Sequence, residues 1–183
     1  MAEYYLISQL PSLDGIGEST PIPITEERFL ELCRRFLEKK ARDELERLTL
    51  VPPRDHERSK SALSEAWHTG ERDLRLALAK VRADKMNKPF DLQNVNLPAE
   101  LLKIANAAAE IENPLEAENF LLRYRLSFLE TLRPMDTFSE EYVFYYALKL
   151  KLILRIRQFD KPLGEAAYKN IYKSILNGDR LEA

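Results

Sequence analysis

Ser59-Lys60-Ser61-Ala62-Leu63-Ser64-Glu65-Ala66-Trp67-His68-Thr69-Gly70-Glu71-Arg72-Asp73-Leu74-Arg75-Leu76-Ala77-Leu78-Ala79-Lys80-Val81-Arg82-Ala83-Asp84-Lys85-Met86 holds no proline and a single glycine. Leu63, Ala66, Trp67, Gly70, Leu74, Ala77, Leu78 and Val81 recur at steps of three and four, the period of one helix face. The spacing predicts a helix over 59–86, roughly 42 Å long at about 1.5 Å per residue. Its apolar seam is narrow. Small residues at Ala66, Gly70 and Ala77 would let a neighbouring helix approach closely. Gly70 costs a helix interior about 1 kcal/mol relative to alanine.

The same period continues on both sides. Upstream, Thr25-Glu26-Glu27-Arg28 combines an N-cap oxygen with acidic residues at the positive end of the helix dipole. Phe29, Leu32, Cys33, Phe36 and Leu37 follow at helical spacing, and Val51-Pro52-Pro53 stops the pattern. Downstream, Lys88-Pro89-Phe90 breaks the long run. Helices are expected over 98–112, 114–132, 139–159 and about 165–176, with Pro98 and Pro114 at first helical positions. Tyr142, Val143, Tyr146, Leu150, Ile153 and Leu154 line one face of the 139–159 helix. Phe144, Leu148 and Leu152 lie on the other, mixed with Lys151 and Arg155. A helix apolar on two faces is central in a bundle or contacts a partner. Before residue 25, Tyr4 to Pro11 is a short apolar run that suits a strand or a helical turn, and residues 14–23 form a loop by their Gly, Pro and Ser content. The fold class is all-α: one domain over 1–183, a bundle of about six helices, with 25–183 its helical body. No internal repeat is present.

A chain of 183 residues is long enough to bury roughly 70% of its unfolded surface without metal or disulfide. The formal charge is −2 and charged residues make up 32%. None of the five glycines precedes a lysine, which excludes a phosphate-binding P-loop. Gly15-Ile16-Gly17 is followed by Thr20 where a dinucleotide fingerprint needs its third glycine. The single cysteine, Cys33, excludes an intrachain disulfide and a Cys-based zinc site, and it reads as a buried small hydrophobe. Residues 1–27 carry no lysine or arginine, so no secretory or mitochondrial leader is expected, and no uncharged stretch is long enough to span a membrane. The expected location is the cytoplasm.

Chemistry-bearing patterns are sparse. Glu65-Ala66-Trp67-His68 has the Glu-x-x-His spacing of a carboxylate-bridged metal helix. That design needs the unit twice plus two further glutamates. The other histidine, His56, has Pro53 three residues before it, so no second unit exists. A helical-bundle metalloprotein using Glu65 and His68 is kept as the enzyme alternative. No catalytic residue, metal ligand or cofactor is assigned. Charge is uneven along the chain: residues 91–122 carry six acids against Lys103, while 149–161 carry five bases against Asp160. The basic strip suits a buried helix whose long side chains reach out to solvent, or an acidic protein surface, better than nucleic acid, for which no global basic field exists.

Several stretches resemble an uncharacterised bacterial family encoded beside V-type ATPase subunits. They are Tyr4-Tyr5-Leu6-Ile7 with Leu10-Pro11, residues 27–33, residues 74–85 (LRLALAKVRADK), residues 113–118 (NPLEAE) and residues 146–164 (YALKLKLILRIRQFDKPLG). More distantly, the helical plan is similar to the C subunit of V/A-type ATPases, called d in eukaryotes, though this chain is about half as long. The resemblance implies a non-catalytic accessory or C-like, central-stalk part that contacts rotor or soluble-sector subunits. It would stand in the cytoplasm, peripheral to the membrane through the complex. The contact surface expected from the basic-apolar helix is Phe144, Leu148, Lys151, Leu152, Arg155 and Arg157. A free-standing helical adaptor is the remaining alternative.

Overall fold

The computed structural model describes residues 2–16, 20–53, 59–90, 96–158 and 168–173. Seven helices follow in chain order: α1 (Ala2–Ser8), α2 (Glu26–Phe36), α3 (Lys39–Arg47), α4 (Ala62–Lys85), α5 (Ala99–Glu110), α6 (Pro114–Thr131) and α7 (Glu140–Gln158). Residues 168–173 are also helical. The architecture is all-α, as the patterning predicts. The two histidine-bearing segments fare differently, because His56 lies outside the described residues.

Helix ends form where local chemistry satisfies free backbone groups. The Ser61 hydroxyl accepts from Ser64 N–H at 3.0 Å and starts α4. Glu141 of α7 reinforces this end: its carboxylate accepts from the Ser61 hydroxyl and from the N–H groups of Ala62 and Leu63, at 2.8–3.2 Å. A negative charge there also meets the positive end of the helix dipole. At the other end, Asn87 adopts φ 52°. Asn87 N–H donates to Asp84 O at 3.1 Å and Lys88 N–H to Ala83 O at 2.9 Å, the paired bonds of a Schellman stop. Pro89 then prevents continuation. Asn113 Oδ1 accepts from Leu115 N–H at 3.0 Å, and Pro114 occupies the first turn of α6.

Three sequence expectations need adjustment. The pattern running from Thr25 toward Val51 is two helices, because Leu37 leaves the helical region (φ −85°, ψ 147°). Leu37, Ala41, Leu45 and Leu48 stay in phase with α2, so periodicity could not show the break; all four are buried. The Tyr4–Pro11 run begins as a helix, α1, with Leu6 fully buried. Pro98 is the N-cap of α5 rather than its first helical residue. The expected last helix, 165–176, is described only over 168–173.

Two apolar cores share α4. The larger surrounds α7 and collects Leu6, Phe29, Leu32, Leu45, Leu63, Trp67, Leu122, Leu129 and the buried face residues of α7. The smaller joins Leu74, Ala77 and Val81 of α4 to Leu97, Leu101, Ala105 and Ala108, with Leu121 of α6 at its edge. The Phe128 ring of α6 lies over Gly70 of α4, where a Cβ would overlap it. Trp67 and Phe128 stack beside this contact, centroids 6.1 Å apart. The packing reason for the mid-helix glycine is therefore the Phe128 ring seated on it.

Candidate functional site

The six residues expected to form a contact surface divide into two groups. Phe144, Leu148 and Leu152 are buried, with Leu148 and Leu152 at 0% exposure. They pack inside the chain and are not surface anchors, which corrects that part of the expected site. The physical reason is that both apolar faces of α7 are covered, by α1–α3 on one side and by α4 and α6 on the other. Lys151, Arg155 and Arg157 remain at least partly exposed. Lys151 Nζ pairs with Glu26 Oε1 of α2 at 3.1 Å. Arg155 Nη2 pairs with Glu118 Oε1 at 2.8 Å. Arg157 lies with Arg123 at the rim of an apolar cleft of about 180 Å³ floored by Leu126, Ile153 and Ile156.

The acidic and basic stretches of the sequence thus meet within the fold. Glu118, from the acidic stretch, also lies 3.9 Å from Arg125. Arg125 Nε donates to Glu71 Oε1 at 2.5 Å, and Glu71 is 2% exposed. Arg75 adds a contact to Glu71 at 3.4 Å. The chain of charges Arg75–Glu71–Arg125–Glu118–Arg155 therefore ties α4, α6 and α7 where the two cores adjoin. Taking Glu71 out of water is tolerable only because two guanidinium groups face it.

A second polar centre was not read from sequence. Lys149 of α7 is buried, yet its ammonium donates to Asp14 at 2.5 Å, Glu130 at 2.6 Å and the Tyr145 hydroxyl at 3.3 Å. Burial alone would pull the ammonium down, but these three hydrogen bonds outweigh it and hold Lys149 above the usual lysine range. The Lys149 hydrogen bond holds Asp14 below the usual carboxylate range, against an opposing desolvation. Burial would raise Glu130, but bonds from Lys149 and Tyr145 reverse that and lower it. Burial pushes the Tyr145 phenol up to about 12, helped by its bond to Glu130. The Arg133 guanidinium lies 5.8 Å from the Tyr145 ring centroid and 6.0 Å from that of Tyr142. Asp14, Arg133, Tyr142, Tyr145 and Lys149 line a cleft of about 260 Å³ between α7 and the segment following α1. Each charge in it has an internal partner, so the cluster fastens residues 11–14 to α6 and α7; the Tyr146 hydroxyl adds a bond to Pro11 O at 2.9 Å. The signal in sequence was Lys149 itself, a cation flanked by Leu148 and Leu150 that had to find carboxylates.

Among the described residues, Glu65 and His68 do not converge with further ligands. Glu65 accepts from Ser59 N–H at 3.3 Å. His68 is buried, and desolvation followed by the nearby Arg72 charge lowers its pKa. No group of three or more His, Cys, Asp or Glu among the described residues is arranged to hold a metal ion. Cys33 is 1% exposed, and burial pushes its thiol up to about 12; a thiol so placed is unreactive at neutral pH. Among the described residues, no helix is long and apolar enough to cross a membrane.

Exposed apolar groups gather at one end of the bundle instead. Tyr4 of α1 stacks on Phe138, just before α7, with centroids 4.8 Å apart. Tyr4, Tyr5 and Phe138 are 55%, 62% and 48% exposed, and Met135 in the same turn is fully exposed. Glu140 sits beside them; its desolvation, with the charges of Glu3, Glu38 and Glu141, holds its carboxyl above the usual range. Compared with known proteins, the chain matches no family model, no curated protein and no solved structure.

Proposed function

We propose that this chain is a non-catalytic accessory or C-like subunit of a bacterial V-type ATPase, acting through protein contacts with rotor or soluble-sector subunits. The reading rests on the family resemblance, and one observation carries it furthest. The two most specific stretches of that resemblance, 113–118 and 146–164, meet at the Glu118–Arg155 ion pair. Asn113 caps α6 and Glu118 fastens it to α7, so the residues that mark the resemblance build the frame of the molecule. A part defined by its frame acts by shape and surface. Nucleotide would be handled by another subunit, since no glycine in this chain precedes a lysine. Lys151, Arg155 and Arg157 stay partly exposed and would orient a partner, Lys151 and Arg155 as members of ion pairs already formed with Glu26 and Glu118, while exposed aromatic groups supply affinity. A cytoplasmic position, peripheral to the membrane through the complex, belongs to the same proposal.

Affinity purification of the tagged chain from its native cells, with mass-spectrometric identification, tests the reading. Rotor or soluble-sector subunits of the ATPase are expected to co-purify reproducibly. Recovery of the chain without any of them contradicts the proposal.

A further inference from the structure

Residues 168–173 form a helical stretch in which every residue is exposed. Tyr168, Ile171 and Tyr172 occur at i, i+3 and i+4, and so share one face. They are 67%, 49% and 53% exposed, and the two tyrosine rings stack with centroids 6.1 Å apart. Lys169 and Lys173 flank that face. An aromatic helix face of this kind left in water invites a partner. The ledge at the N-terminal end of α7 has matching properties. Tyr4, Tyr5 and Phe138 present exposed rings, and the carboxylates of Glu3, Glu38 and Glu140 lie around them. One surface is aromatic and basic, the other aromatic and acidic.

Chain geometry disfavours a meeting of the two within one molecule. The ledge adjoins the N-terminal end of α7, whereas residue 168 follows its C-terminal end. α7 spans Glu140–Gln158, about 27 Å at about 1.5 Å per residue. The ten steps from Gln158 to Tyr168 reach at most roughly 35 Å when fully extended. Returning to the ledge of the same chain would take about 27 Å of that reach and leave under about 10 Å to pass around the bundle surface, so a nearly extended connection would be needed. A neighbouring copy carries no such constraint.

We propose that the 168–173 helix of one copy docks on the Tyr4–Tyr5–Phe138 ledge of a second copy, its Lys169 and Lys173 facing Glu38 and Glu140, with the exchange reciprocated across a two-fold axis. Each copy then offers one helix and one ledge, which closes the assembly at a dimer. The buried area is small, so the dimer is weak and concentration-dependent. Its charge pairs are exposed, so it weakens with salt. The inference does not rest on the ATPase reading, since it uses only surfaces of this chain.

Sedimentation velocity of the purified full chain over a concentration series, in low and high salt, tests it. A monomer–dimer equilibrium is expected that salt weakens. The Tyr168→Ser/Tyr172→Ser and Tyr4→Ser/Phe138→Ser variants should each weaken dimerisation by about tenfold or more, with unchanged circular dichroism, because all four side chains are exposed. Mixing the two variants should recover part of the association, since one intact helix then meets one intact ledge. Lys169→Glu/Lys173→Glu should also weaken it, and Glu38→Lys/Glu140→Lys mixed with that variant should restore it. A chain that stays monomeric throughout the series overturns the proposal, whether the helix docks in its own molecule or on a different protein. A dimer indifferent to the tail variants overturns it equally.

Discussion

The core around α7 and the core between α4 and α5 are built from different residues and by different routes. The first buries Trp67, Phe29, Phe144, Tyr145 and Tyr146 and draws on segments from Leu6 to Ile153. The second buries only Leu, Ala and Val, all from residues 74–121. Aromatic side chains bury far more area each than alanine, so the α7 core carries most of the stability. The α4–α5 core gains from proximity instead. Ala77 and Ala105 are both at 0% exposure, so the two backbones approach closely and little loop entropy is lost in joining them. Large side chains gather distant segments, while small ones zip neighbours together. The α4–α5 arm should therefore open on its own, and the α7 body should open only with the whole molecule.

Substitutions can break this contrast. Leu148→Ala empties a fully buried position beside the middle of α7 and should cost about 3–5 kcal/mol; both regions should then melt together at a lower temperature. Leu101→Ala in the arm should cost about 2 kcal/mol and should speed amide exchange in α5 more than in α7. Equal effects on the two regions would show a single cooperative unit.

At the seam between the cores, Arg125→Ala strands the buried Glu71 carboxylate. Removing one partner of a buried pair costs about 3–5 kcal/mol, and the remaining Arg75 contact should reduce that to about 2 kcal/mol. Chemical denaturation of Arg125→Ala, and of a Glu71→Leu/Arg125→Leu pair, checks this. The double variant should recover much of the loss, because no unpaired charge remains buried. Gly70→Ala tests the seating of the Phe128 ring on α4. Alanine gains about 1 kcal/mol of helix propensity, but its methyl meets the Phe128 ring, and overpacking costs about 1–3 kcal/mol. The net change should be about 1 kcal/mol of destabilisation, and a more stable Gly70→Ala protein would refute close packing there.

The smallest effect concerns pH. Burial holds the His68 pKa below its unfolded value. The unfolded chain therefore binds the proton first, and folding stability should fall as pH drops through about 6.5, the usual unfolded value. Melting temperatures at neutral and mildly acidic pH should show this decline, and His68→Gln should flatten it. An unchanged slope in His68→Gln would assign the decline to other groups.

Much of the frame was legible in sequence. The α4 seam, the Asn113–Pro114 start and the stop before Pro89 are local, and backbone chemistry within a few residues determines them. The fate of α7 was not local. Its two apolar faces read equally as a bundle centre or a docking surface, and only the packing of α1–α3 against it decides for the centre. The break at Leu37 was hidden because the apolar period stays in phase across it. Asp14, Glu130 and Lys149 come from three segments, and Tyr4 and Phe138 are far apart in the chain, so no spacing rule could join them. What could be read was the need: a lysine amid leucines requires carboxylates, and exposed aromatic rings require cover.

Hydrogen exchange of the free chain, resolved by segment, tests most directly the claim that α7 is the interior scaffold rather than a partner surface. The account predicts that amides of residues 143–153 exchange slowest, at the rate of global unfolding, and that α5 exchanges faster through local opening. Rapid exchange of 143–153 in the free chain would contradict it and would return Phe144, Leu148 and Leu152 to the surface.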